Sequence, residues 1–297
     1  MDIFRLFLLG KSTPADSTQP LLTLLLDAPP AFDLAEALDH LQNLENEAAP
    51  VDGKLHSAPG RPLTAEFMWG DHKVEVAQVD QPMLIESLDR CVLASHWSEE
   101  EKRRMTGHHL QLLLYYNGTH PHPIERYLAL YKVASIFQGP QLLGVANEPA
   151  WTAHPAGLLT RLTNPEMLNV CRHSPPLLFW TGFLSTSLEG DFWFFTRGFH
   201  LFGFPDLAIR HSEPEQAQEV QELFTEVFHY LYFEKPDVQV TDIIQIEDRY
   251  YELTQEKGFE DTVGAPFGFY VLVEHSAARA HELMAQSQTG FGANYPG

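Results

Sequence analysis

An α+β fold follows from three features of this sequence: two similar halves, each a mostly antiparallel sheet with helices packed on one face. Short apolar or alternating runs closed by Gly, Pro, Asn or Asp mark strands, and other segments place apolar residues three and four apart, the spacing of one helix face. A unit of apolar strand, acidic or proline-bearing loop and amphipathic helix recurs at residues 21–44, 109–137 and 199–231. Each half also carries a hairpin pattern, at residues 63–79 and 192–209. Residues 147–176, crowded with Pro, His and Asn, read as the connection, so the halves are drawn as 1–150 and 151–297.

In chain order, residues 3–9 fit a short strand and residues 11–19 a loop. Leu21–Leu26 is an unbroken apolar run, the pattern of a buried strand, and Asp27-Ala-Pro-Pro stops it. Asp33 then stands as a helix N-cap, with Leu34, Ala37, Leu38, Leu41 and Leu44 on one face behind it. Residues 45–62 read as a surface loop. Leu63–Trp69 and Lys73–Val79 alternate around Gly70-Asp71-His72 and form a hairpin. Ile85, Leu88, Cys91 and Val92 share a helical face. Ser98 opens a short helix whose Glu99, Glu100 and Glu101 sit at the positive end of its dipole. A strand at His109–Tyr116, a helix at Ile124–Phe137 stopped by Gly139-Pro140, and a strand at Leu142–Ala146 complete the first half.

The second half centres on Trp180–His211, the stretch densest in aromatics and glycines. Phe192–Phe195 and Phe199–Ile209 read as two strands joined by Thr196-Arg197-Gly198, with Gly198 free to take the positive φ of a tight connection. Pro205 lacks a ladder donor and marks an edge, a bulge or a strand end. Ser212 and Glu215 have capping-box spacing, Pro214 suits a first helical turn, and Val220, Leu223, Phe224, Val227 and Phe228 build an amphipathic helix. Val238–Ile246 reads as a strand, although Ile243, Ile246, Tyr250 and Leu253 also have helical spacing. Phe267–Val273 is the last strand, and the small-residue tail is expected to fray.

Composition bounds the function. Asp and Glu number 40 against 19 Lys and Arg, a formal net charge of -21, which repels phosphate backbones and anionic lipid and steers basic proteins inward. An acidic surface also serves solubility alone. No apolar run approaches the roughly 20 residues that span a bilayer, and the first ten residues lack a leader pattern, so a cytoplasmic location is expected. Cys91 and Cys171 lie far apart in apolar segments and read as reduced, buried thiols, with a single bridge as the alternative.

No constellation announces a reaction, a metal or a cofactor. His108-His109 and His120-x-His122 lack a third ligand at metal spacing, and His281-Glu282 lacks the second histidine of a helical zinc site. Ser185, Thr186 and Ser187 have no nucleophile elbow around them. Cys171 precedes Arg172 and His173, which reads as a buried thiol with charged sequence neighbours. Arg197 is expected in an ion pair with Glu189 or Asp191 at a hairpin tip. Trp180, Trp193, Arg197 and His200 are the residues that would line a ligand pocket, although the aromatics equally suit a packed core. Glu215, Glu219, Glu222 and Glu226 recur at spacings of four, three and four and form one acidic stripe opposite the apolar helix face.

The core Gly198-Phe-x-Leu-Phe-Gly203-Phe-Pro205-Asp206-Leu207, with Trp180-Thr-Gly182 before it, resembles the bacterial domain-of-unknown-function family numbered 4261. The order of elements in the first half and the strand led by His108-His109 are similar too, so the resemblance spans residues 20–275. It brings no catalytic residues. It implies a scattered bacterial distribution of the kind seen among accessory and toxin-immunity proteins. The functional expectation is a non-enzymatic, acidic, cytoplasmic binding protein that meets a basic protein partner, such as a toxin, through the glutamate stripe, without nucleic acid, membrane or cofactor. An enzyme or small-ligand protein with a pocket at the aromatic hairpin is the alternative.

Overall fold

The computed structural model describes residues 19–45, 48–58, 60–188, 190–211, 214–256, 259 and 267–290. The strand expected at residues 3–9, Ser212 of the capping box and Glu189 lie outside them. The chain divides into two compact units, Met1–Gly182 and Phe183–Gly297, and the α+β organisation in two halves holds.

The first unit is built on a seven-stranded antiparallel sheet. Its strands are β1 (Leu21–Leu26), β2 (Asp52–Leu55), β3 (Thr64–Trp69), β4 (His72–Val79), β5 (Leu110–Tyr116), β6 (Leu142–Asn147) and β7 (Thr152–Pro155), in the order β2-β3-β4-β5-β1-β6-β7. β1 lies between β5 and β6, and all six of its residues are buried. Both of its faces are covered, which is why its sequence does not alternate. Helix α1 (Leu34–Leu44) has the expected Asp33 cap, whose carboxylate accepts the Glu36 amide at 3.0 Å. Beyond it come α2 (Ile85–Leu88), which runs into a π turn to Leu93, α3 (Glu99–Thr106) and α4 (Pro123–Ser135). Helix α4 packs on β5, β4 and β1. Leu25, Ala146 and Ala153 join Met83, Leu88, Cys91, Val92 and Met105 in one apolar cluster, so residues 83–105 close a second face of the sheet over β1, β6 and β7. His108 pins this layer: its Nδ1–H donates to Met105 O and its Nε2 accepts the Met83 amide, both at 2.8 Å, and burial lowers its pKa.

Strand β2 falls inside the stretch read as a surface loop. Its four residues show no buried face, so an edge strand of this kind leaves no apolar alternation to read. The boundary expected near Trp151 is also displaced, to Gly182/Phe183. β7 pairs with β6 through Ala146 and Ala153, and α5 (Ala156–Leu162) and α6 (Pro165–His173) pack on α4. The residues that looked like a linker are helix-start signals: Asn164 caps α6 by accepting the Glu166 amide at 2.9 Å, and Pro165 occupies the first helical position. Arg172 on α6 grips Glu45 beyond α1 with two hydrogen bonds, 2.6 and 2.9 Å, and Glu125 on α4 at 2.6 Å, while Lys132 also pairs with Glu45. Burial pushes the Glu45 pKa up, but Arg172 and Lys132 together hold it below the usual carboxylate value.

The second unit carries a six-stranded mixed sheet of β8 (Gly182–Leu188), β9 (Asp191–Arg197), β10 (Asp206–His211), β11 (Ile243–Ile246), β12 (Arg249–Thr254) and β13 (Phe269–His275), in the order β11-β12-β13-β10-β9-β8. β10 and β13 run parallel. Successive residues of β9 point to opposite faces. Phe194 stacks on Phe183 at 5.6 Å, and Phe183 meets Phe224 of α7 (Ala217–His229) edge-on at 6.0 Å. Trp193 stacks on Phe259 at 4.7 Å, with Phe195 against the same ring.

Three expectations change in this unit. The second strand of the aromatic hairpin starts at Asp206 rather than at Phe199, because Phe199–Phe202 forms a 3₁₀ turn bracketed by Gly198 (φ 126°) and Gly203 (φ 90°). A second hairpin, from β8 to β9 through Gly190 (φ 93°), precedes it. The helical alternative near Ile243 gives way to β11 and β12, which turn at Glu247 (φ 54°), and the tail forms α8 (Ala277–Gly290) instead of fraying there.

Candidate functional site

Helix α7 presents the glutamate stripe as its outer face. Val220, Leu223, Phe224, Val227 and Phe228 are buried, and a 3.6-residue repeat then turns Glu219, Glu222 and Glu226 outward, with Glu215 in the preceding 3₁₀ turn; all four are exposed. Arg249 of β12 holds Glu219 at 2.6 Å, and Gln218 donates to Glu222 at 3.0 Å. Among the described residues, Glu215, Glu222 and Glu226 meet no Lys or Arg. Like charges three and four residues apart cost a helix a few tenths of a kcal/mol per pair. The apolar face buried beneath α7 outweighs that cost, so the stripe is displayed on a firmly seated element.

The residues named for a pocket are divided. Trp180 belongs to the first unit, fully buried, with Tyr131 edge-on at 5.7 Å and Tyr127 tilted at 5.8 Å. Trp193, Arg197 and His200 belong to the second, and each is at most 4% exposed. There Thr196 and Arg197 end β9, His200 lies in the 3₁₀ turn and Asp206 starts β10, with Thr196 and Asp206 at most 1% exposed. Asp206 Oδ1 accepts the Thr196 hydroxyl at 3.1 Å and the Phe199 amide at 3.0 Å, and Thr196 Oγ1 accepts the Leu207 amide at 2.8 Å. Asp206 Oδ2 faces His200 Nδ1 at 3.6 Å. One carboxylate thus ties the end of β9, the 3₁₀ turn and the start of β10 together. The ion pair expected between Arg197 and Asp191 does not form: Asp191, at the far end of β9, pairs with Arg210 at 3.2 Å, across the β9–β10 ladder, while Arg197 is buried. Asp206 was the residue that sequence reasoning missed, and its signal was an acid directly after a proline inside an otherwise apolar run.

Other chemistry-bearing residues resolve into structural parts. Cys91 and Cys171 are free and buried. Burial pushes the Cys171 thiol up to about 12 despite the Arg172 charge, so no reactive thiolate forms at neutral pH. The fold stacks His72 on His120 at 4.9 Å and sets His122 beside His120 at 5.6 Å, yet no group of three His, Cys, Asp or Glu among the described residues has the arrangement to hold a metal ion. Comparison of the chain with protein-family models, with curated proteins and with solved structures gave no match.

Proposed function

We propose that this protein is a non-enzymatic binding protein whose acidic α7 face docks a basic protein partner, in the manner of an immunity protein that covers a toxin, and that it is a member of the bacterial family its Gly198–Leu207 core resembles. The observation that carries the reading is the exposed stripe of Glu215, Glu222 and Glu226, which meet no basic partner among the described residues, along a helix anchored by five buried apolar residues and the turn before it. Such a face accelerates encounter with a cationic surface by roughly 10- to 1,000-fold at low salt. Both thiols are unpaired, and no described helix is long and apolar enough to cross a membrane.

The test is affinity capture from the source organism with wild type and with Glu215, Glu219, Glu222 and Glu226 all changed to Gln. The reading expects a basic protein that the wild type retains at low salt, that elutes as salt rises, and that the variant fails to hold. A partner held equally by both forms, or one indifferent to salt, refutes docking on this face.

A further inference from the structure

At one end of the first unit's sheet, β1, β2 and β4 finish while β3 and β5 begin, as the pairs Leu26–Leu110, Leu55–Ala65 and Val79–Gln111 require. Loops after β1 and before β3 rise beside these strand ends and enclose an open cleft of about 930 Å³, within the roughly 300–1,000 Å³ of small-ligand sites. The floor is apolar. Leu63 and Leu110 are buried beneath it, and Phe32 is braced by stacking on Phe137 at 5.9 Å.

The walls are preformed. Pro29, Pro30 and Pro62 fix their own φ angles. The Asp27 amide donates to Gln141 O and the His109 amide to Leu26 O, both at 2.9 Å. Gln78 bonds to Leu63 in both directions, its amide donating to Leu63 O at 2.8 Å and its Oε1 accepting the Leu63 amide at 3.2 Å.

The charges on the rim are what select a ligand. Asp27 and Asp80 are both exposed and, among the described residues, neither meets Lys or Arg: Asp27 has His109 at 3.7 Å, and Asp80 accepts Gln78 Nε2 at 2.5 Å. Arg61 is the lining guanidinium, and the described residues offer it no carboxylate. Two carboxylates against one guanidinium, in a chain of net charge -21, make the cleft favour a cation. We infer that it binds a small organic cation, an ammonium or guanidinium on an apolar or aromatic body, with the charge taken by Asp27 and Asp80 and the body laid on Phe32, Leu63 and Leu110. Arg61 opposes that charge and keeps the affinity modest.

The experiment titrates the full chain at low salt with tryptamine and with indole-3-propionate, an anion of similar size, followed by calorimetry and by amide chemical shifts. Tryptamine should bind saturably and shift the amides of Asp27, Ala28, Ala31, Phe32, Arg61, Leu63, His109 and Leu110, and indole-3-propionate should not. Asp27→Asn and Asp80→Asn, which keep a side-chain acceptor in place, should each weaken tryptamine by roughly two- to fivefold, the effect of one exposed ion pair. Arg61→Gln should strengthen it by a similar factor, a change that a merely structural Arg61 would not produce. Glu222→Gln with Glu226→Gln should leave it unchanged, which separates this site from the α7 face. Absence of saturable tryptamine binding, equal binding of the anion, or affinity unmoved by both Asp variants overturns the assignment.

Discussion

Asp206→Ala is the sharpest perturbation of the second unit. It deletes the acceptor of two hydrogen bonds, from the Thr196 hydroxyl and the Phe199 amide, at a site where Thr196, Phe199 and His200 are at most 1% exposed. A buried donor left without a partner costs about 1–3 kcal/mol. Two such donors lose their acceptor at once, so the expected loss is about 3–5 kcal/mol. That is a large part of the roughly 5–15 kcal/mol that holds a domain folded. Asp206→Asn keeps an oxygen for Thr196 and Phe199, so its cost should be smaller, about 1–2 kcal/mol. Amide hydrogen exchange resolves each unit by itself. Asp206→Ala should lower protection in β9, β10 and β13 by two orders of magnitude or more, at about 1.4 kcal/mol per tenfold, while β1 and β5 stay near wild type. If the alanine variant changes β9–β10 protection by less than tenfold, or if the asparagine variant is as damaging as alanine, the carboxylate does not hold this loop as described.

Two further outcomes follow from the first unit. Burial holds the His154 imidazole down to about 4, so the folded chain keeps it neutral while the unfolded chain protonates it near 6.5. The unfolded state therefore binds more protons below that pH. Stability should be full above about pH 6.5 and fall as pH drops toward 4, by about 3 kcal/mol from this residue. Urea midpoints measured between pH 7 and 4.5 should decline less steeply in His154→Phe than in wild type, and parallel curves would assign the acid loss elsewhere. Arg172→Ala removes the group that joins Glu45 and Glu125, leaves Glu45 with Lys132 alone, and should destabilise the first unit by about 1–3 kcal/mol. Exchange protection in α4 reports this loss, and unchanged protection would show the network to be energetically idle.

Much of the architecture was legible because periodicity and capping are local. Asp33, Ser98 and Asn164 each accept a backbone amide at a helix start, by the same side-chain chemistry that marks them in sequence, although Asn164 lies in a stretch whose composition is that of a linker. The hairpin expected around Gly70-Asp71-His72 forms, with Gly70-Asp71 as its turn and His72 already in β4 opposite Trp69. Illegible elements share a cause. β2 is an edge strand with no buried face, and β7, α5 and α6 are short elements whose Pro and Asn serve as helix starts rather than as breaks. The aromatic hairpin misled for a different reason. Phe199–Phe202 has strand composition, but positive-φ Gly198 and Gly203 at its ends and a carboxylate seven residues after Phe199 hold it in a 3₁₀ turn.

Sequence by itself determined the fold class, the buried character of β1, the amphipathic helix α7 and the outward placement of its glutamates, because each depends on spacing within one element. Tertiary structure decided which distant side chains meet. It divided Trp180 from Trp193, buried Arg197 instead of leaving it at a turn tip, set Asp206 under the loop, and gathered Asp27, Arg61 and Asp80 around one cleft. Those encounters depend on sheet order and register, which are fixed by burial summed over many strands and leave no mark at any single position.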